Sequence, residues 1–463
     1  MATRAAGQWT EQRLAATMGG RLITPEDHDY DQARAIWNGM HDLRPALIAR
    51  CESPSDVVRA VDFARERSLP VAVRGGGHGV AGKATCEGGL VIDLSPMRGV
   101  QVDPARKVAR AEGGATGSDL DRATQTHGLA VTLGTDSRTG IAGLTLGGGM
   151  GFLARRCGLA ADNLLAADIV LADGSQVRAN AQENPDLFWA LRGGGGNFGV
   201  VTAFEYRLHE VGPQLQVVQA FHPYEHAHEA LRFYREFHAS LPGDAACYCL
   251  VANVPPVEPF PESRWGEPAV VFVACHPGPL DEGAEILLPL AEYGEPIFVS
   301  AAATEYTALQ SGFDAASPDG ERYYWKSQYL SGLPDEAIDV FVDHARSLPP
   351  SLSSVYFEPM GGAVNAVPRD ATAFPHRDAA FNLGFSTGWS DFADDERMIA
   401  WTKAFHRAMT PFSTGGVYVN YLDHDDAARV RAAYGENYDR LRRVKASYDP
   451  DNFFNSNQNI GPK

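Results

Sequence analysis

Three glycine-dense stretches hold the residues best placed to do chemistry. Arg74-Gly75-Gly76-Gly77-His78-Gly79 follows Val71-Ala72-Val73, a short apolar run that reads as a strand. Consecutive glycines let successive backbone N–H groups converge on an anion, because no Cβ blocks approach or forbids positive φ. Such a loop can cradle a pyrophosphate, and this one presents an imidazole, His78, near its end. An isolated Gly-Gly-Gly run also fits a simple tight turn. The second stretch, Gly134-Thr135-Asp136-Ser137-Arg138-Thr139-Gly140-Ile141-Ala142-Gly143, runs into Gly147-Gly148-Gly149-Met150-Gly151, with Cys157-Gly158 and Asp162-Asn163 soon after. In the third, Gly194, Gly196 and Gly199 satisfy G-x-G-x-x-G. A helical pattern precedes that match and a strand pattern follows it, the reverse of a dinucleotide fingerprint, so a Rossmann reading is rejected.

Two aromatic runs come later. Tyr418-Val419-Asn420-Tyr421 reads as part of a strand over 417–422, with Tyr418, Asn420 and Leu422 on one face and Tyr421 on the other. Tyr323-Tyr324-Trp325-Lys326-Ser327-Gln328-Tyr329 as a strand puts Tyr323, Trp325 and Ser327 together, opposite Tyr324, Lys326 and Gln328. An aromatic-lined pocket suits a planar aromatic or heterocyclic ligand. Lys326 could lower a tyrosine pKa or hold a phenolate; a sheet core with one solvated lysine is the plainer alternative. Tyr356, Glu358, Asn382 and Trp389 are further pocket candidates on predicted strands. His222, His226 and His228 do not make a metal site: i,i+2 histidines share no helix face and no carboxylate completes the set. No metal is expected, and Asp423 to Asp426 read as exposed surface.

These residues need a scaffold, and 463 residues allow two or three domains. Apolar residues make up 44% and charged residues 21%, ordinary for a folded protein with a sizeable core. The net charge of −18 argues against nucleic acid or an anionic membrane as partner, since both need a basic face. No run approaches the roughly 18 to 20 apolar residues of a membrane span. Residues 1–22 lack the apolar core of a secretory signal. The six cysteines show no zinc spacing, and the single residue between Cys247 and Cys249 is read as placing them on alternating faces of a strand. Free thiols and a cytoplasmic location are expected.

Short helices and strands alternate from about residue 44. Ser53-Pro54-Ser55-Asp56 resembles a helix start, with Val57, Val58, Val61 and Ala64 on one face and Pro70 beyond its end. Strands are predicted over 71–73, 90–94 and 108–112, a helix over 117–127, and a hairpin at Asp173-Gly174. After about residue 213, longer strands (214–221, 246–253, 269–275, 353–360, 381–388) with helices over 226–240 and 335–347 suit an antiparallel sheet covered on one face. The fold class is α+β. The predicted segments are 1–212 (core about 40–212), 213–414 and 415–463, the last too small for its own core.

The succession RGGGH, LGGGMGFLARRCGLAADN, DLFWALRGGGGNFGVVT and YDPDNFFNSNQNI resembles the berberine-bridge-enzyme-like branch of the vanillyl-alcohol-oxidase/PCMH flavoproteins over nearly the whole chain. Within it the chain is most similar to bacterial members with one covalent flavin link. The resemblance implies a PCMH-type FAD-binding domain over 1–212, a substrate domain over 213–414 and a C-terminal segment over 415–463 that returns to the first. It makes His78 the residue bonded to the flavin 8α-methyl group. Many relatives add a cysteine link to flavin C6; that cysteine would fall at Asp136, so a single link and a merely packed Cys157 are expected. By the same transfer, Arg74, Gly75, Gly76, Gly77 and Gly79 wrap the pyrophosphate. Thr135, Asp136, Gly140, Gly143 and Gly151 flank the adenosine and ring, and Val201 meets the adenine. Asn163 is a weaker transfer that could instead cap a turn. Tyr418 and Asn420 contact the cofactor, while Tyr323, Trp325, Tyr356, Glu358 and Asn382 face substrate.

Tyr421 matches the residue that often serves as base in relatives, and a phenol acting near neutrality needs its pKa of roughly 10 lowered, by a nearby cation or the flavin. The implied activity is oxidation of an alcohol or amine on a small substrate, by hydride transfer to flavin N5 with O2 as acceptor. A dehydrogenase using a quinone or carrier protein, and a non-catalytic flavin-retaining binding protein, are the alternatives.

Overall fold

The computed structural model describes residues 9–462, so residues 1–8 of the N-terminal segment weighed above lie outside the described residues. Ser53 Oγ accepts from the Asp56 N–H at 3.3 Å, and the helix Pro54–Arg67 that it starts buries Val57, Ala60, Val61 and Ala64. Ser68 ends the helix in the left-handed region, and the chain then enters strand Val71–Arg74. That strand lies parallel to Leu90–Asp93, which lies parallel to Leu47–Arg50; Arg21–Ile23 adds an antiparallel edge. Every residue of Leu90–Asp93 is buried, as a central parallel strand requires.

A second sheet is antiparallel, in the order Val100–Asp103, Val108–Glu112, Val200–Arg207, Leu164–Val170, Gln176–Asn180. The Asp173-Gly174 turn joins its last two strands, with Gly174 at φ 80°.

The third sheet is antiparallel and seven-stranded. Its order is Phe298–Glu305, Gln214–Pro223, Pro268–His276, Ala246–Asn253, Ser354–Pro359, Phe381–Trp389, Arg322–Leu330. Helices Ala227–Ser240, Leu280–Ala291, Asp335–Ala345 and Asp395–Met409 pack on one face. The class is α+β, with the helices on one side of this sheet. Side-chain alternation decides what the other face presents: Cys247, Cys249 and Val251 point into the helix-covered core, whereas Tyr248, Leu250 and Ala252 line a cavity. The two cysteines therefore share a face, because residues i and i+2 of a strand always do. All six cysteines are free and buried.

Sequence patterning misses strand Phe298–Glu305, whose Ser300-Ala301-Ala302-Ala303 run has no apolar alternation because this edge strand is mostly exposed. The strand predicted over 417–422 is a 3₁₀ turn, Val419–Tyr421. Here the Tyr418 N–H is held by Ser327 Oγ at 3.4 Å and the Tyr421 N–H returns to the Tyr418 carbonyl, so no ladder forms.

The C-terminal segment packs into the first core: Val417, Val430, Tyr434, Leu441 and Ile460 join Phe188, Phe204 and Val201. Its anchor is Lys445, fully buried, which donates to Asp449 (2.5 Å), Asn197 O (2.7 Å) and Phe454 O (3.0 Å). Asp449 in turn accepts the backbone N–H groups of Phe453 and Phe454. Among the described residues no helix is long and apolar enough to cross a membrane. Removing one partner of a buried pair leaves the other charge uncompensated, at about 3–5 kcal/mol. Lys445→Met should lower the urea-unfolding free energy by that amount.

Candidate active site

The first two glycine stretches meet backbone to backbone. A Cβ on Gly76 would lie 2.5 Å from Gly140 N, and one on Gly140 would lie 2.3 Å from Gly76 N, so neither position tolerates a side chain. Gly79, Gly143 and Gly196 differ: a Cβ there would meet nothing within 4 Å, because these residues face a cavity of about 1330 Å³. Gly75, Gly76, Gly77, His78, Thr135, Asp136, Gly140 and Val201 line the same cavity, as do Phe454, Ser456 and Asn457 of the tail.

Three residues expected at the cofactor stand behind this wall. The Arg74 guanidinium turns away from the cavity to donate to the carbonyls of Ala33, Arg34 and Ala84. Fixing the loop by satisfying those carbonyls is its observable work. Gly151 is packed against backbone, since a Cβ would sit 1.8 Å from Leu133 O. Asn163 donates to Cys157 O and Leu159 O, both at 2.9 Å, and its Oδ1 meets His209 Nε2 at 2.6 Å, which is a turn cap.

His78 sits at the junction of cradle and sheet. Its ring stacks on Trp37 (centroids 4.3 Å apart, 13° between planes), and Trp37 stacks on Tyr323 (3.9 Å, 11°). Asn38 clamps the two walls: Nδ2 donates to Val80 O at 2.7 Å and Tyr323 O at 2.9 Å, and Oδ1 accepts from the Tyr323 N–H at 3.0 Å. His78 Nε2 faces Asp136 Oδ2 at 3.4 Å. Burial alone would raise the Asp136 pKa, but His78, Arg138 (2.6 Å) and Ser317 Oγ (2.5 Å) hold it far below the usual carboxylate range. Cys157 is buried among Phe152, Leu153 and Val217, away from the cavity, and burial pushes its thiol up to about 11.

The opposite wall is aromatic. Trp325, Tyr356, Tyr418 and Tyr421 line the cavity, with the Tyr421 ring edge-on to Trp325 (5.1 Å, 83°) and to Tyr418 (4.9 Å, 74°). The 3₁₀ turn brings Tyr418 and Tyr421 to the same side, where a strand would have parted them. Tyr418 Oη accepts from the Gly149 N–H (3.0 Å) and from Asn420 Nδ2 (2.9 Å), fastening this wall to the second glycine stretch. Tyr421 Oη donates to Glu358 Oε1 at 3.1 Å, and Asn382 Nδ2 donates to Glu358 Oε2 at 2.5 Å. Asn382 therefore stands behind Glu358 and outside the cavity lining. Burial pushes the Glu358 carboxyl up to about 7, against the lowering by its two donors. Burial and the neighbouring Glu358 push the Tyr421 phenol well above its ordinary value, opposite to the lowering expected of a free-standing base.

Lys326 does not serve this site. Strand alternation turns it to the far face, where it is buried between Asp425 and Asp426, each at 2.7 Å, and lies over the Tyr324 ring. Trp389 likewise packs with Tyr324 and Met398 and donates to Asp395. His41, Asp423 and His424 converge as well, but as a hydrogen-bonded joint: His41 Nε2 meets Val80 O, His424 Nδ1 meets Asp423 Oδ1, and Asp423 Oδ2 takes the Trp325 N–H. Sequence reading missed Trp37, Tyr248 and the tail residues at the cavity. Nothing in their local pattern marks them.

The cavity exceeds the roughly 300–1,000 Å³ of a site for one small ligand, so it has room for a cofactor and a substrate together. Its Cβ-free cradle fits a dinucleotide's phosphates, and the aromatic wall fits a flat ring. The site is thus of the class that holds a dinucleotide cofactor beneath a sheet. A family described as "FAD binding domain" matches residues 45–180, and "Berberine and berberine like" matches residues 417–461. The chain is 34% identical to (R)-6-hydroxynicotine oxidase of Paenarthrobacter nicotinovorans, over 96% of this chain and 97% of that one. The solved 6-hydroxy-D-nicotine oxidase of Arthrobacter nicotinovorans superposes with a TM-score of 0.87 at 30% identity, covering 96% and 99% of the two chains. A glucooligosaccharide oxidase of Acremonium strictum, described with a 6-S-cysteinyl, 8α-N1-histidyl FAD, reaches 0.86 at 25% identity, covering 97% and 98%. This protein belongs to the berberine bridge enzyme-like family of FAD-linked oxidoreductases.

The cradle depends on the Gly76–Gly140 approach. Gly76→Ala should force the two loops apart, lowering stability by about 1–3 kcal/mol and reducing the flavin content of purified protein measured by absorbance.

Proposed function

We propose that this enzyme oxidises an alcohol or amine carbon of a small aromatic or heterocyclic substrate, with FAD linked through His78 alone and O2 as electron acceptor. In this reading residues 1–212 hold the cofactor, residues 213–414 cover the substrate, and residues 415–463 supply Tyr418, Asn420 and Tyr421. The observation that carries it is the Tyr421 Oη–Glu358 Oε1 contact at 3.1 Å in the wall facing the cradle.

FAD supplies the hydride acceptor when bound; placement, orientation and proton removal fall to the chain. A substrate O–H or N–H against Tyr421 Oη can pass its proton to the phenol as the phenol passes its own to Glu358. One proton moves along each hydrogen bond, and the charge ends on the substrate heteroatom. Glu358 is the suitable terminal acceptor, because its pKa of about 7 lies near an ordinary operating pH. Tyr421 is then the relay, which removes the need for a cation beside it. Trp325 and Tyr356 flank Tyr421 and would orient a planar ring.

The single link is supported by the cavity lining: Asp136 stands beside His78, and no cysteine among the described residues lines the cavity. With Nε2 turned toward Asp136, Nδ1 would be the nitrogen left to hold the flavin. The named substrate of the 6-hydroxynicotine oxidases is an aromatic heterocycle, in keeping with the aromatic wall.

Acid-precipitated protein should keep its yellow chromophore, and His78→Ala should release it. For any alcohol or amine that bleaches the flavin anaerobically, the bleaching rate should rise as pH increases through about 7, because only ionised Glu358 can accept a proton. Glu358→Gln should slow bleaching by about 10²–10⁴-fold and flatten that rise. Rates unchanged in both Glu358→Gln and Tyr421→Phe would remove the relay from the reaction.

A further inference from the structure

The cavity does not end at Tyr421. Cross-strand pairing sets Tyr356 opposite Leu250, Leu250 opposite Val271, Val271 opposite Phe221, and Phe221 opposite Phe298. These five side chains form one row across the sheet, and all five line the cavity. Four strand spacings of about 4.8 Å make the row about 19 Å long, from the ring beside Tyr421 to the edge strand. Phe260 closes its far end, edge-on to Phe221 at 4.7 Å and tilted over Phe298 at 5.1 Å. Phe260 lies in the loop between strands Ala246–Asn253 and Pro268–His276, where Pro255, Pro256 and Pro259 also face the cavity.

Charge is distributed just as unevenly. Among the described residues lining the cavity, the ionisable ones of Asp, Glu, Lys, Arg and His type are His78, Lys83 and Asp136 at the cradle and Glu358 beside Tyr421. None lies along the row. Of the five row side chains only Tyr356 carries a hydrogen-bonding group, though Gln219 and Asn253 also line the cavity. A hydroxyl-rich chain lying on the row itself would therefore lose water without replacement, a cost that apolar substituents do not carry.

We propose that this row is a subsite for an extended apolar tail, so that the substrate is an aromatic or heterocyclic head bearing a long alkyl, prenyl-like or aryl substituent. The inference rests on the preceding reading for where the head reacts. Its physical content is the apolar row and the aromatic end wall, which act through burial alone.

The test is a binding series of 4-n-alkylphenols, ethyl to hexyl, titrated into the flavin-loaded protein and read by quenching of tryptophan fluorescence, since Trp325 and Trp265 both line the cavity. Each added methylene should tighten binding about three- to fourfold. Phe221→Asn should flatten the series while leaving affinity for unsubstituted phenol within about twofold of wild type. Phe260→Ser, a loop position outside the strands, should do the same if Phe221→Asn fails to fold. A flat series on wild-type protein that carries flavin, or tighter binding of xylobiose than of 4-hexylphenol, overturns the tail subsite and leaves the flavin reading intact. Protein that takes up no FAD overturns both.

Discussion

Two walls must be held at one fixed spacing for this site to exist, and a buried amide does much of the holding. Asn38 is fully buried, and its two donors and two acceptor positions are all engaged, on Val80 O, Tyr323 O, Tyr323 N and Met40 N. The geometry is exacting because any displacement of the sheet against the cradle leaves a buried polar group unpaired, at about 1–3 kcal/mol each. The adjoining Trp37, stacked between His78 and Tyr323, fills the same joint with a rigid ring. The proposed flavin-bearing imidazole is thereby referenced directly to the strand that carries Trp325.

Charge placement follows the same logic of exclusion. Lys326 is one strand position from Trp325, yet its ammonium lies on the far face between Asp425 and Asp426. A cation on the cavity face would have favoured the ionised form of Glu358 and made it a poorer proton acceptor near neutrality. With only neutral donors, Asn382 and Tyr421, Glu358 stays near 7. The Asp136 carboxylate shows the contrary case, surrounded by His78, Arg138 and Ser317 and held ionised. One cavity therefore keeps two carboxyl groups in different protonation regimes, each set by its neighbours.

The sheet does two jobs through strand alternation. Its helix-covered face is an ordinary core of Phe, Leu and Val. The opposite face carries the Tyr356–Leu250–Val271–Phe221–Phe298 row away from the reacting end. Because side chains alternate faces with a period of two, a register shift of one residue would replace this surface with core side chains. The proposed tail subsite is thus a consequence of register.

Much of the fold was legible locally, because local physics decides it. The Ser53-Pro54 helix start, the Asp173-Gly174 hairpin and most of the period-two strands appear where their own residues demand, and the glycine runs announced a cradle. What sequence could not decide was which way a side chain points once its element is docked. Arg74 and Asn163 sit in the right stretches but are turned to satisfy backbone carbonyls. Lys326 lies in the right strand on the wrong face, and a 3₁₀ turn in place of a strand put Tyr418 and Tyr421 side by side. Trp37 and Asn38 become part of the site through His78 and Val80, about 40 positions away, and through Ser317 and Tyr323, about 280 away. Residue types and their order determined that there would be a flavin-type cradle facing a sheet. Long-range packing, which depends on partners no local window contains, decided which residues form the site and gave Glu358 its environment.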